Sequence, residues 1–293
     1  MENSKTKRKV DLLPIYYLLP SLLLIVLINF YPFLSGLFYS LSDGSLVKQG
    51  SFVGLANYVR LFGMPDFGHS LVFSAIFAFF SVIGSYVIGL GLAVLLNKDF
   101  PGRGFFRVAL LVPWIVPSIV SIISWRWMLG AQEGLVNTFL VWLGLEPVLF
   151  LANEKWAIFT VCLIKIWRSF PFMMVSCLAG LQSIDSALYE SAAIDGAGRW
   201  KSFVYITLPQ LKSISIVCWI LMTIWSFNDF DTIWLLTQGG PANATENLII
   251  LAYKYTFTKN DVGTGSAMAI IALIILMMLA TLFLKNQNKE QDV

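Results

Sequence analysis

Six separate stretches of this chain, at 13–40, 70–96, 105–129, 155–181, 204–236 and 262–284, are each long and apolar enough to cross a lipid bilayer. A hydrocarbon core about 30 Å thick takes about 20 mostly apolar residues in a helix. Lipid offers no partner to a backbone N–H or C=O, so such stretches fold as helices. Composition agrees: 57% of the 293 residues are hydrophobic and 13% are charged, against about 45–50% and about 25% in a soluble domain. That is too little charge to cover a water-soluble globule of this length. The expected fold class is an all-α integral membrane protein, with six transmembrane helices over 13–284 and cytoplasmic tails at 1–12 and 285–293.

Lys5, Lys7, Arg8 and Lys9 precede the first stretch, as they would in a secretory signal. A signal core runs for only about 7–15 residues and ends in a small-residue cleavage site. Here the apolar run continues through Phe30, Tyr31 and Phe38 without such a site, so it reads as a retained helix. Sidedness follows from Lys and Arg, which accumulate on the cytoplasmic face. With the N-terminus inside, Lys5, Lys7, Arg8, Lys9, Lys98, Arg103, Arg107, Arg199, Lys201, Lys285 and Lys289 are cytoplasmic. Lys48, Arg60, Lys155, Lys254 and Lys259 are outside. The larger basic set therefore puts both termini in the cytoplasm, as an even number of spans requires. Loops 41–69, 130–154 and 237–261 then lie outside, and 97–104 and 182–203 inside.

The minor residues exclude several classes of function. Cys162, Cys177 and Cys218 lie singly in apolar runs and His69 is the one histidine. No metal site and no Ser-His-Asp or Cys-His machinery is expected from that set. A net charge of +3 spread along the chain gives nucleic-acid binding no support. No GxxxxGK[ST] phosphate loop occurs, so the chain has no such route to ATP.

The inside loop 182–203 is more than a connector. Ser183 or Asp185 can cap a short helix, with Asp185 and Ser186 near its positive end. Leu188, Ala192 and Ala193 recur at helical spacing and make a narrow face of small and apolar groups. Gly196 and Gly198 end that helix. A second amphipathic stretch with Trp200, Phe203 and Val204 follows, and Pro209 opens or kinks the next span. A small-residue face suits docking into a groove on another protein. An interfacial helix lying on headgroups is the other reading, although such helices are usually richer in Lys and Arg.

In this loop Glu190-Ser191-Ala192 is followed, after three intervening residues, by Gly196 and, after nine more, by Ile206-x-Leu208-Pro209. The pattern resembles the EAA signature of ABC importer permeases, with Ser191 where alanine is usual. Asp195-Gly196-Ala197 resembles the carbohydrate branch. Leu19-Pro20-Ser21, Tyr31-Pro32, Gly54-Leu55-Ala56-Asn57-Tyr58, Pro113, Pro117 and Gln238-Gly239-Gly240-Pro241-Ala242 resemble the first permease of maltose-type oligosaccharide importers. The resemblance implies a six-helix permease core in which Glu190, Ser191, Ala192, Asp195, Gly196, Ile206, Leu208 and Pro209 couple to a cytoplasmic ATPase. It implies a second, similar permease, two ATPase subunits holding ATP and Mg, and an external or periplasmic sugar-binding protein, all at a bacterial cell membrane. No cofactor is expected in this chain itself, and it is not expected to be an enzyme.

Ionisable residues inside spans default to functional candidates. Span four carries Lys165, Arg168, Ser169 and Phe172, with Pro171 freeing a carbonyl. Span five carries Trp225, Asn228, Asp229 and Asp231. The spacing of Lys165, Arg168 and Ser169 puts them on one helical face, and Trp225, Asn228 and Asp229 on another. Aromatic faces cover the apolar side of a sugar ring, and amides or carboxylates bond its hydroxyls. In the resembling family Asn228 matches a polar contact to sugar, and Ser169, Phe172 and Trp225 fall at corresponding sites with changed side chains. The charges allow a second reading, in which Arg168 or Lys165 pairs with Asp229 or Asp231 between helices. Gly239, Gly240 and Pro241 form a turn near the outer end of span five, either a docking point for the binding protein or a plain exposed turn. The loop holding Trp142 and Phe150 reads as an interfacial helix or a portion of the same docking surface. The expected function is ATP-driven import of a sugar by alternating access. The alternative is an ion-coupled carrier or channel acting alone, with Lys165, Arg168, Asp229 and Asp231 as its relay.

Overall fold

A computed structural model describes residues 13–48, 50–131 and 133–291. The expected tail 1–12 lies outside the described residues, as do 292–293. The described residues form helices and loops, with one isolated bridge between Ser42 and Phe52. The helices are α1 (Leu13–Ile25), α2 (Tyr31–Ser40), α3 (Ala56–Phe62), α4 (Pro65–Leu96), α5 (Arg103–Ala109), α6 (Val112–Ile115), α7 (Ser118–Met128) and α8 (Leu135–Trp142). They continue as α9 (Glu154–Gln182), α10 (Ser186–Ile194), α11 (Arg199–Ser202), α12 (Leu208–Phe227), α13 (Asp231–Leu236), α14 (Leu248–Tyr253) and α15 (Val262–Gln291). The last helix therefore runs on into the stretch expected to be the C-terminal tail.

Five helical spans are long and apolar enough to cross a membrane, and the sixth is a bent pair. The stretch 105–129 is not one straight helix: its two halves meet at 88°. Pro117 explains the break. It pushes the preceding residue out of the helical region, and Val116 is extended at ψ 131. The fifth stretch also departs from a single helix. It ends at Phe227, and a separate short helix, α13, follows after Asn228, Asp229 and Phe230. At its start, a wide π-helical turn over Phe203–Thr207 leads from α11 into α12, with Pro209 in the first turn of α12. A second wide turn, Val26–Phe30, joins α1 to α2 ahead of Pro32.

The heart of the fold is the pair α4 and α9, the most extensive helix contact in the chain. Small buried residues recur along α4 at Ser70, Ser74, Ala78, Ser81, Ser85, Gly89 and Ala93, and such a stripe lets helix backbones approach closely. At Gly89 the approach reaches the backbone of α9. A Cβ there would lie 2.6 Å from Met173 Cβ and 2.8 Å from the Met174 nitrogen, so only hydrogen fits. Phe73, Phe77, Ile122, Val161, Ile164 and Ile233 close the core above this contact. Leu90, Ala93, Met174, Cys177 and Leu211 close it below. By contrast, the span Tyr16–Ser40 keeps none of its most apolar window buried. Leu18, Leu22, Leu27 and Ile28 are all about half exposed or more.

Candidate functional site

The α10–α11 loop is held by local hydrogen bonds that its sequence specifies. Asp185 caps α10, its carboxylate accepting from the Ala187 N–H at 2.9 Å. At the other end Gly196 sits at φ +77, where a side chain would be strained. The Gly196 N–H donates to the Ala193 carbonyl at 3.1 Å, and the Ala197 N–H donates to the Ala192 carbonyl at 2.8 Å. That pair of bonds satisfies the last carbonyls of the helix and turns the chain sharply. The Tyr189 hydroxyl meets the Thr207 hydroxyl at 2.9 Å, fastening α10 to the wide turn that enters α12. Glu190, Ser191, Asp195 and Gly196 are exposed, Ala192, Ile206 and Leu208 are half-buried, and Pro209 is exposed. Ile194 is 87% exposed, which is unusual for an isoleucine on a rigid helix and leaves it open to a partner surface.

A second cluster lies where α12 breaks. Lys165 Nζ and Asp229 Oδ2 are 2.6 Å apart, and both side chains are buried. Asp229 Oδ1 also accepts from the Thr232 N–H, and Oδ2 from the Thr232 hydroxyl, both at 2.9 Å. Arg168 donates from Nη1 to the same Thr232 oxygen at 3.0 Å. The chain Lys165–Asp229–Thr232–Arg168 therefore ties the middle of α9 to the start of α13. The interhelical pairing considered from sequence is present, between Lys165 and Asp229. Asp231 goes elsewhere: it is exposed and accepts from the Ser118 hydroxyl on α7 at 2.9 Å.

The expectation that Trp225, Asn228 and Asp229 share a helical face is corrected here. The helix stops at Phe227 with Asn228 as its cap residue. Asn228 and Trp225 stay exposed, while Asp229 turns inward and is buried. Phe172 packs edge-on against Trp225, ring centres 4.9 Å apart, and Trp114 lies 6.2 Å from Phe172. Trp114, Phe172 and Trp225 thus form an aromatic wall beside the Asn228 amide, whose Nδ2 donates to the Ile224 carbonyl at 3.1 Å. Ser169 is buried rather than on that wall.

At the other end of the molecule, Gly239 is buried, Gly240 and Pro241 are half-buried, and Gln238, Ala242 and Asn243 are the exposed residues of the turn. Thr245 pins the turn, its N–H donating to the Gly239 carbonyl at 3.1 Å and its hydroxyl to the Gly240 carbonyl at 2.7 Å. Sequence reasoning passed over the residues beneath it. Glu246 is buried and paired with Lys254. Asn247 caps α14 through the Ile250 N–H at 2.9 Å and donates to the Asp229 carbonyl at 2.8 Å. An Asn directly before an apolar run is a helix-start signal, so Asn247 was detectable; its link to Asp229 was not. In loop 130–154, Asn137 is buried and binds the carbonyls of Gly130, Ala131 and Val148 and the Val148 N–H. Trp142 there is 77% exposed.

Membrane spans around an aromatic and amide-lined face, with a rigid helical loop at one end, define a multi-pass transport protein. The chain belongs to the family of binding-protein-dependent transport system inner membrane components, whose model matches residues 85–292. It is 37% identical over 290 residues to the trehalose/maltose transport system permease protein MalF of Thermococcus litoralis, covering 99% of this chain and 98% of that one. It is 34% identical over 276 residues to the sulfoquinovosyl glycerol transport system permease protein SmoG of Agrobacterium fabrum, covering 94% and 90%. Among solved structures, a bacterial alginate ABC transporter bound to its pentasaccharide-loaded periplasmic protein shares the fold, with TM-score 0.82, 22% identity and 93% of each chain covered.

Proposed function

We propose that this chain is the permease subunit of a sugar-importing ABC transporter of the inner membrane. Its near full-length similarity to a trehalose/maltose permease and to a sulfoquinovosyl glycerol permease supports that substrate class. Family membership makes it the membrane-spanning component rather than a catalytic one, and it disfavours the carrier acting alone. A second permease, two ATPase subunits that hold ATP and Mg, and an external sugar-binding protein complete the machine.

The observation that carries the coupling mechanism is the capped α10 helix, with Glu190, Ser191 and Ile194 facing outward above the Gly196 turn. In this reading the α10–α11 loop is cytoplasmic, and α10 sits in a cleft of an ATPase. Closure of the ATPase pair on ATP shifts α10, and the spans rock between inward- and outward-facing states. Sugar passes along the wall of Trp114, Phe172 and Trp225, where rings stack on its apolar face and Asn228 bonds its hydroxyls.

The test is Gly196→Trp in the assembled transporter. No heavy atom lies within 4 Å of a Cβ at Gly196, so the new side chain projects into open space. The left-handed backbone costs about 1–2 kcal/mol with a side chain present, which leaves partial assembly intact. Sugar uptake is lost while ATP hydrolysis persists without stimulation by the loaded binding protein. Unchanged uptake in Gly196→Trp and in Glu190→Lys would remove the basis for docking.

A further inference from the structure

Two cavities open side by side at the loop end of α4. The first, about 430 Å³, is lined by Asn97 and Lys98 from the end of α4 and by Tyr189, Arg199, Ser202 and Thr207 from the loop. The second, about 390 Å³, runs back along α4 past Tyr86, Val87, Leu90, Gly91 and Leu95, under Trp200. Val94 and Phe203 line both, so the two are halves of a single groove. The first half holds the basic and polar groups, and the second is apolar.

The charges have one sign. Among the described residues, Lys98 and Arg199 are the charged groups lining the groove, and no carboxylate does. The nearby acids are accounted for. Asp99 is held by Arg103 at 2.6 Å, Asp185 is engaged in capping α10, and Glu190 and Asp195 are exposed outside the groove. The Asn97 amide supplies a neutral hydrogen-bonding group in the same half, where the Tyr189 and Thr207 hydroxyls are bonded to each other. The apolar half follows α4 into the depth of the membrane, and Trp200, which is 74% exposed, stands at its mouth. Tryptophan favours the boundary between lipid and water.

We propose that this groove binds an anionic phospholipid, with the phosphate head between Lys98 and Arg199 and an acyl chain along α4 from Leu95 toward Tyr86. A basic pocket between helices at the cytoplasmic surface is the arrangement that holds anionic headgroups. The apolar half distinguishes this ligand from a free phosphate, which has nothing to place there. The groove meets α10 through Tyr189 and Ala193, a different face from the one carrying Glu190, Ser191 and Ile194. A bound lipid therefore stiffens the coupling helix from behind without blocking the ATPase side. The orientation rests on the cytoplasmic reading of the loop; the ligand chemistry rests on the groove itself.

Native mass spectrometry of the whole transporter, released from nanodiscs of mixed phosphatidylglycerol and phosphatidylcholine, tests the proposal. The expected result is retained phosphatidylglycerol in preference to phosphatidylcholine. Removing both cations in Lys98→Gln/Arg199→Gln weakens retention roughly 30-fold, from the worth of two basic groups near an anionic surface. The charge-conserving Lys98→Arg/Arg199→Lys restores it and controls for assembly. Gly91→Phe fills the apolar half, where no protein atom lies within 4 Å of a Cβ, and lowers retention with both cations present. Equal retention of the two lipids, or phosphatidylglycerol retained by both the Gln and the Phe variants, overturns the proposal. So does full displacement of the lipid by inorganic phosphate with no effect of Gly91→Phe, which would mark a small-anion site instead.

Discussion

The buried pair of Lys165 and Asp229 makes the sharpest energetic prediction. At 2.6 Å and an effective dielectric of about 20, its attraction is about 6 kcal/mol. Desolvating the two ions takes back most of that. The pair therefore contributes little net stability, yet neither ion tolerates loss of the other. Lys165→Met leaves a buried carboxylate with only the Thr232 N–H and hydroxyl; Asp229→Asn leaves a buried ammonium. Each single change costs about 3–5 kcal/mol. The double variant removes both charges. The Asn side chain keeps an oxygen for the Thr232 N–H, so the first turn of α13 survives. The double variant is thus no less stable than either single one, and the coupling energy is about 3 kcal/mol or more. The measurement is a double-mutant cycle on SDS-induced unfolding of the purified complex in mixed micelles, followed by tryptophan fluorescence. Effects that add within about 0.5 kcal/mol, as independent sites do, would refute the reasoning.

Three further outcomes follow from the geometry. Gly89→Leu forces a side chain into the Met174 backbone, where a Cβ already sits at 2.8 Å; the cost is at least about 3 kcal/mol, above the usual overpacking penalty, and is read as loss of assembled complex on size exclusion. Asn137→Ala strips four backbone groups of their partner, at about 1–3 kcal/mol for an unsatisfied buried group; faster hydrogen exchange and proteolysis between 130 and 148 report it, with transport spans unaffected. Trp225→Ala removes the edge-on partner of Phe172 and raises the KM for sugar uptake several-fold, while ATP hydrolysis in the absence of sugar is unchanged; an unaltered KM would take the aromatic wall off the sugar path.

Long apolar runs were legible because lipid leaves them one way to satisfy their backbones, and five of the six stretches give long helical spans. The α10–α11 loop was legible because its signals are local: Asp185 before a helix and Gly196 after it specify caps within a few residues. The break at Val116 and Pro117 illustrates the limit. Proline marks where a helix is weakened, but it does not give the 88° of the turn, beyond which α7 packs on α13. Asp229 illustrates it more strongly. Helical spacing put it beside Trp225 and Asn228, yet α12 ends one residue before Asn228, so the periodicity no longer applied. What turned Asp229 inward were Lys165, far back on α9, and Thr232 and Asn247 ahead. Asn137 escaped notice for a similar reason, since its partners are carbonyls of irregular backbone that no pattern announces.

The close contact of Gly89 with Met173 has a mechanical consequence. α9 packs along α4 through that point, with the α10–α11 loop at its end after Gln182 and the ion pair at Lys165. At 1.5 Å per residue, the contact lies about 14 Å from Gln182 and about 12 Å from Lys165. A rocking of α9 about that contact would have nearly equal arms. Each ångström of push at the loop would return about 0.9 Å in the opposite direction at Lys165, which holds Asp229 at 2.6 Å. Pro171, two residues from that contact, has no N–H to donate and so removes one backbone hydrogen bond from α9. In the transporter proposed above, a stroke of a few ångströms at that loop is of the same size as the separation that joins Lys165 to Asp229.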